Sequence, residues 1–459
     1  MARTDERLTL AGLLVLALLH GWFWMQLVPP WQHYDEPAHF AYAAALAYDE
    51  RDRPGRQVLA MSRVVADSMY HHRFYDAEVR PTLGGPEPTN LGVDQRVHPP
   101  LYYALAALPI SLTRYLPIET QLYAARSLSL GFYVLTILTA WRIAVTVLPD
   151  EPRMQVVIPL LVLLTPTFAD IMTAVNSDVL VNFAAMVGLL GAVLLIRDGF
   201  HPVGLALLLL SLIVGVLTKR TALGLLIPSL LALYWAWQRQ PLSRQGWQRL
   251  FLLGIPVGLG LLVIAFRPNL SEGQISLEPR QWLASLDRQY LRLQIGLWIR
   301  SIGDWERALP LYQFTAQVSF TDLWGSLAWG HISLGSIVLG VTTLVVSATG
   351  VGLIGYRWRI HGQLPLWQQR VIWLFGITVI FAWMATLLRI HPIPAVGLPF
   401  YVPRGRYLLW SLLPHLWFVA LGWQMLFPAT WRRYTPLVLV MLVMTLNFAA
   451  WFVLVQFYS

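Results

Sequence analysis

The sequence predicts an all-α polytopic membrane protein, a single domain over residues 1–459 with about eleven transmembrane helices and two long outer loops that carry interfacial helices. Three observations predict it. Hydrophobic residues make up 56% of the chain and charged residues only 12%, against about a quarter charged in soluble domains. Runs rich in Leu, Val, Ala and Gly recur along the whole length, each near the roughly 20 residues needed to cross a hydrocarbon core of about 30 Å. The short basic loops between these runs also fall on one side when the spans are laid out in order, as the positive-inside rule requires.

The first span, 8–28, follows a charged start and exceeds the apolar core of a signal peptide, with no small-residue cleavage site after it, so it is expected to be retained. The first outer loop covers 29–125. Spans then follow at 126–147, 154–174, 178–196, 202–218, 221–238 and 249–266, the second outer loop at 267–330, and the last four spans at 331–355, 371–389, 406–427 and 434–456. An N-terminus on the cytoplasmic side of the inner membrane sends Arg153, Arg197 and the basic stretches 238–249, 356–370 and 431–433 to the cytoplasm. The C-terminus then lies outside. The segment 98–116 is apolar enough to span, but spanning would reverse every later loop. It is therefore read as a helix lying in or dipping into the outer surface, after Pro99 and Pro100 and ending near Pro117. In the second loop, 282–299 sets Trp282, Leu286, Leu293 and Leu297 at helical spacing with Arg288 and Arg292 between them, the pattern of a helix in the headgroup layer.

The chain has no cysteine, so it holds neither a disulfide nor a thiolate metal site. His71, His72, His98, His331 and His391 lack zinc-site spacing. The net charge of +9 suits lipid headgroups or anionic substrates, and topology alone can also produce it. There is no P-loop, dinucleotide fingerprint or nucleophile elbow, which disfavours ATP-driven transport and soluble-type hydrolysis. Nothing points to nucleic acid.

The stretch YDEPAHFAYA (34–43) places Asp35 and Glu36 where the first span leaves the membrane. Asp35 can cap a helix that starts near Pro37. A carboxylate there, beside His33, Tyr34 and His39, can also accept a proton from a substrate hydroxyl, and the two roles are compatible. Asp178 lies in a tight outward turn in which Asn176 or Ser177 can cap the next helix, and Asp170, deeper in the preceding span, reads as a buried structural carboxylate.

Five stretches in this order, DEPAHF after the first span, HPPLYY at 98–103, AAR at 124–126, NSD at 176–178 and RGRYLLW at 404–410, resemble the GT-C superfamily of membrane glycosyltransferases. The likeness is to the protein O-mannosyltransferase and lipid A aminoarabinose transferase branches and to an uncharacterised bacterial branch, whose tryptophan-glycine motif is matched by DLWGSLAW at 322–329. It covers residues 1 to about 415, without the mannosyltransferases' large lumenal domain. The resemblance implies a GT-C-type fold and an enzyme that takes a sugar from a polyprenyl-phosphate carrier outside the cytoplasm, with Asp35 as general base, Glu36 as the second acid and Arg126 functionally important. It also implies that Asp178 and Asn176 help to position acceptor or metal; some members use a divalent cation such as Mg or Mn and others do not. His98 and Tyr102 of HPPLYY, with Trp324, are nominated to contact sugar or acceptor. A lipid-phosphate leaving group needs cationic stabilisation, which nominates Arg126, Lys219, Arg220, Arg404 and Arg406, although each arginine could instead snorkel to headgroups. The acceptor would be a glycan, lipid or protein hydroxyl. A lipid or solute transporter or flippase, or a catalytically inactive accessory subunit of the same fold, is the alternative.

Overall fold

A computed structural model describes residues 2–48, 54–72, 91, 95, 98–240, 305–359, 361–388 and 404–459. The expected span 249–266 and the expected headgroup helix 282–299 lie outside the described residues. The described chain is helical apart from a two-residue hairpin that pairs Ser326 with Ser333 and Leu327 with Ile332. Seven of its helical stretches are long and apolar enough to cross a membrane, and a bent helix pair makes an eighth. The protein is thus an all-α polytopic membrane protein.

In chain order the helices are α1 (Ala2–Leu27), α2 (Glu36–Ala47), α3 (Pro54–His71), α4 (Leu101–Leu112), α5 (Ile118–Val147), α6 (Pro152–Leu163), α7 (Pro166–Met172) and α8 (Ser177–Asp198). They continue as α9 (Pro202–Thr218), α10 (Leu226–Arg239), α11 (Trp305–Gly325), α12 (Gly335–Arg359), α13 (Leu366–Leu387), α14 (Leu412–Leu426) and α15 (Thr435–Tyr458). A 3-10 turn, Arg220–Leu225, precedes α10, and another, Gly405–Ser411, leads into α14. The expected spans 202–218 and 406–427 are occupied by helices of 17 and 15 residues, so neither is long enough by itself to count among the seven.

The segment 98–116 forms the 12-residue α4. At about 1.5 Å per residue such a helix is too short to cross the hydrocarbon core. It does more than rest on a surface: it packs against α2, α5 and α9, and Tyr102, Tyr103, Ala106 and Ile110 are fully buried.

The span expected at 154–174 is broken. Prolines at 159 and 166 interrupt the helical hydrogen bonding, and α6 meets α7 at 65°. A break inside a bilayer exposes backbone carbonyls that only protein can satisfy. Here Tyr133 Oη donates to Leu163 O at 2.6 Å and Asn447 Nδ2 to Leu164 O at 2.8 Å. His20 joins the two side chains, 2.9 Å from Tyr133 Oη and 3.1 Å from Asn447 Nδ2. Helices α1, α5 and α15 therefore seal the break between them. Elsewhere the packing is by close backbone approach. A Cβ at Gly352 of α12 would overlap the carbonyl of Gly422 in α14, the small-residue contact that membrane helices use in place of a hydrophobic driving force.

Candidate functional site

Six chain segments converge at one end of the bundle: the loop from α1 to α2, α5 at Arg126, α7 with the turn that follows it into α8, the end of α9, the end of α11 and the turn before α14. Their acids and bases are paired one to one. Asp35 Oδ2 lies 2.6 Å from Arg406 Nη1, Glu36 Oε2 2.6 Å from Arg126 Nη2, Asp178 Oδ1 2.6 Å from Lys219 Nζ, Asp170 Oδ1 2.6 Å from His33 Nδ1, and Asp322 Oδ2 3.5 Å from Arg404 Nη1. Residues spread over most of the sequence, seven of them nominated from separate motifs, thus meet in one place.

Asp35 occupies the N-cap position of α2 with φ 56°, the left-handed region, and its side chain makes no capping hydrogen bond. Aspartate tolerates that conformation better than most residues, yet such strain persists only where the surroundings impose it. The carboxylate is turned to Arg406, whose guanidinium also lies 4.1 Å from the Tyr34 ring centroid and 5.4 Å from that of Tyr407. The 2.6 Å contact is an ion pair lying off the N–H directions: Arg406 Nε and Nη1 are buried and donate no hydrogen bond within the protein. Asp178 Oδ2 and His33 Nε2 are likewise buried without a hydrogen-bond partner. Groups of this kind are costly to leave unmet and mark functional sites.

Glu36 and Arg126 are fully buried and engage each other bidentately, at 2.9 and 2.6 Å. Arg126 also donates to the carbonyls of Met25, Val28 and Pro29, at 3.0, 2.8 and 2.9 Å. Glu36 Oε1 accepts from Val175 N at 3.1 Å. The pair therefore ties the exit of α1, the start of α2 and the turn before α8 to α5. Burial pushes the Glu36 carboxyl up, but the charge of Arg126, that of His33 and the hydrogen bonds outweigh it and hold the pKa below the usual value. A depressed folded pKa contributes stability that is present above the unfolded value of about 4.3 and lost as pH falls through the folded one. Acid titration of the unfolding midpoint should accordingly show a steep loss below about pH 4 that Glu36→Gln flattens; parallel acid limbs would refute it.

Asn176 caps α8, its Oδ1 accepting from Asp178 N at 2.9 Å, and its Nδ2 donates to Tyr34 O at 2.9 Å. Tyr102 is buried behind the same turn, accepting from Asn176 N at 2.8 Å and lying 3.1 Å from Ser129 Oγ. Both hold the turn in place. His98 is half-buried and within electrostatic reach of His39. The His39 imidazole is kept neutral by burial and by the charges of Lys219, His98 and Arg406, and lies 2.9 Å from Tyr103 Oη. Trp324 is buried in α11 with its ring 6.5 Å from that of Phe320. Arg220 opens its 3-10 turn; its side chain, like that of Trp329, lies outside the described residues.

Tyr34, Thr167, Asp170, Asp322, Arg404 and Arg406 line a narrow cleft with a volume of about 30 Å³. Asp322 and the His33–Asp170 pair were not singled out for chemistry from the sequence, since no local pattern links them; only the fold does. Burial holds the Asp322 carboxyl above the usual range despite Arg404. Gly405 makes this arrangement possible, because a Cβ there would overlap the backbone of Leu323 and Ser319. The two flanking arginines are carried into the cleft by that approach. Gly405→Ala should lower stability by about 1–3 kcal/mol and disable the site; an unfolding midpoint equal to the parent's would show that the approach is not needed.

Among the described residues no group of three or more His, Asp or Glu is placed to hold a metal ion. Each of the five carboxylates already faces a cationic or imidazole partner, and a metal would have to displace it. Compared with known proteins, the chain matches no family model and no curated protein.

Proposed function

We propose that the protein is an inverting GT-C-type membrane glycosyltransferase, with about eleven spans in the inner membrane, its N-terminus inside, and its site and C-terminus facing the periplasm. It moves a sugar from a polyprenyl-phosphate donor to a hydroxyl of a glycan, lipid or protein. The observation that carries this reading is the Asp35–Arg406 contact: a carboxylate carried on a left-handed backbone beside a buried guanidinium with unmet donors. Asp35 takes the acceptor hydroxyl proton as that oxygen bonds to the anomeric carbon. The bond from that carbon to the phosphate oxygen breaks, leaving a lipid phosphate whose charge Arg406, Lys219 and Arg404 stabilise. Donor phosphate replaces Asp35 as the partner of Arg406 and so frees the carboxylate to face the acceptor hydroxyl. Glu36, Arg126, Asn176 and Tyr102 are positioning residues, because their polar groups are engaged within the protein.

The test is a transfer assay in membranes that contain the protein and candidate lipid-linked sugars, with the product followed as labelled acceptor. Absence of transfer from every polyprenyl-phosphate sugar would overturn the reading. The broken α6–α7 pair, with buried polar groups at the bend, favours a second one, a transporter or flippase, since such proteins use discontinuous spans. Proteoliposomes separate the two: a flippase moves labelled lipid between leaflets without forming a glycosidic bond.

A further inference from the structure

At the end of the bundle opposite the paired acids and bases, the first turns of α6 and α15 part to form a shallow open groove with a volume of about 450 Å³, lined by Pro152, Val156, Val157, Pro436, Leu437 and Val440. Its place along the membrane normal follows from α15. Tyr458, at the far end of that helix, feels the charges of Asp170, Arg126 and Glu36. Pro436 therefore lies about one hydrocarbon thickness away from the site, at roughly 1.5 Å per residue.

Arg153 stands in the groove, and Arg432 and Arg433 lie on the 3-10 turn Arg432–Tyr434 that leads into α15 beside it. Arg153 donates to Arg433 O at 3.3 Å. Arg432 donates to Phe427 O at 3.3 Å, and Arg433 to Tyr434 Oη at 2.8 Å with its guanidinium 4.8 Å from that ring's centroid. These bonds orient the side chains and leave further N–H donors on each guanidinium, which carries five. Trp431 and Tyr434 are exposed beside them, as aromatic residues are at the level of the lipid headgroups.

We propose that this groove is a binding site for an anionic glycerophospholipid, with one acyl chain along the apolar lining and the phosphate on Arg153, Arg432 and Arg433. The floor is almost wholly apolar and matches hydrocarbon. The charged rim selects the headgroup, since arginines near the membrane surface each contribute about 1 kcal/mol toward anionic lipid. Asp150 and Glu151, exposed just before Arg153, partly offset that charge. The comparison with a zwitterionic lipid is therefore the decisive one. The inference does not rest on the transfer reaction.

The full-length protein in detergent is titrated with phosphatidylglycerol and, separately, with phosphatidylcholine of the same chains, and bound lipid is counted by native mass spectrometry. Phosphatidylglycerol should bind about tenfold or more tightly. The triple variant Arg153→Gln, Arg432→Gln, Arg433→Gln should remove that preference while leaving phosphatidylcholine binding unchanged. Val440→Trp, which fills the groove, should weaken both. Equal binding of the two lipids by the parent protein would overturn the proposal without any variant. So would a preference that survives the triple substitution, or binding that survives Val440→Trp.

Discussion

Asp35→Asn is expected to lower transfer from a lipid-linked sugar by about a hundred- to ten-thousand-fold, the contribution of a positioned general base, while the protein stays folded. The asparagine keeps the size of the side chain, and aspartate and asparagine share a tolerance for the left-handed conformation at this position. No capping hydrogen bond is lost, because the carboxylate makes none. Removal of its charge leaves Arg406 available to anions, so binding of donor phosphate should be kept or strengthened. The decisive pattern is retained donor binding with lost turnover. Full activity in Asp35→Asn would remove this carboxylate from the mechanism, and loss of donor binding would make it a ligand site for the donor.

Arg126→Ala is expected to give the largest loss of stability. It leaves Glu36 fully buried without its countercharge and orphans the carbonyls of Met25, Val28 and Pro29. Removing one partner of a buried pair costs about 3–5 kcal/mol. The effect should appear as a sharply lower unfolding midpoint in detergent. Adding Glu36→Gln to Arg126→Ala should recover only part of it, since the uncompensated charge is relieved but the three carbonyls are not. A single variant with the midpoint of the parent would show that the pair is not the clamp described here.

Much of the fold was legible because membrane spans are written as composition. Residues 8–28, 126–147, 178–196 and 434–456 each fall on a long helix, and 98–116 on a short non-spanning one. The bend at 164–166 was less legible: its prolines are visible, but the groups that make a break tolerable, Tyr133 and Asn447, lie far off in sequence. The site divides in the same way. Asp35, Lys219 and Arg406 could be nominated because charge is conspicuous in an apolar chain. The distinction between them and Arg126 could not, since an arginine ringed by carbonyls and one with unmet donors look alike in one dimension. Asp322 escaped notice because its place in the cleft depends on α11 meeting the turn at Gly405.

The sealed break also bears on biosynthesis. Helices α6 and α7 are translated long before Asn447 emerges from the ribosome, so the Leu164 carbonyl has no side-chain donor from α15 until that helix inserts. The break is therefore fully sealed only once α15 is in place, and a nascent chain stalled before residue 435 should keep the bend more open to protease than the full chain does, even with every earlier helix inserted.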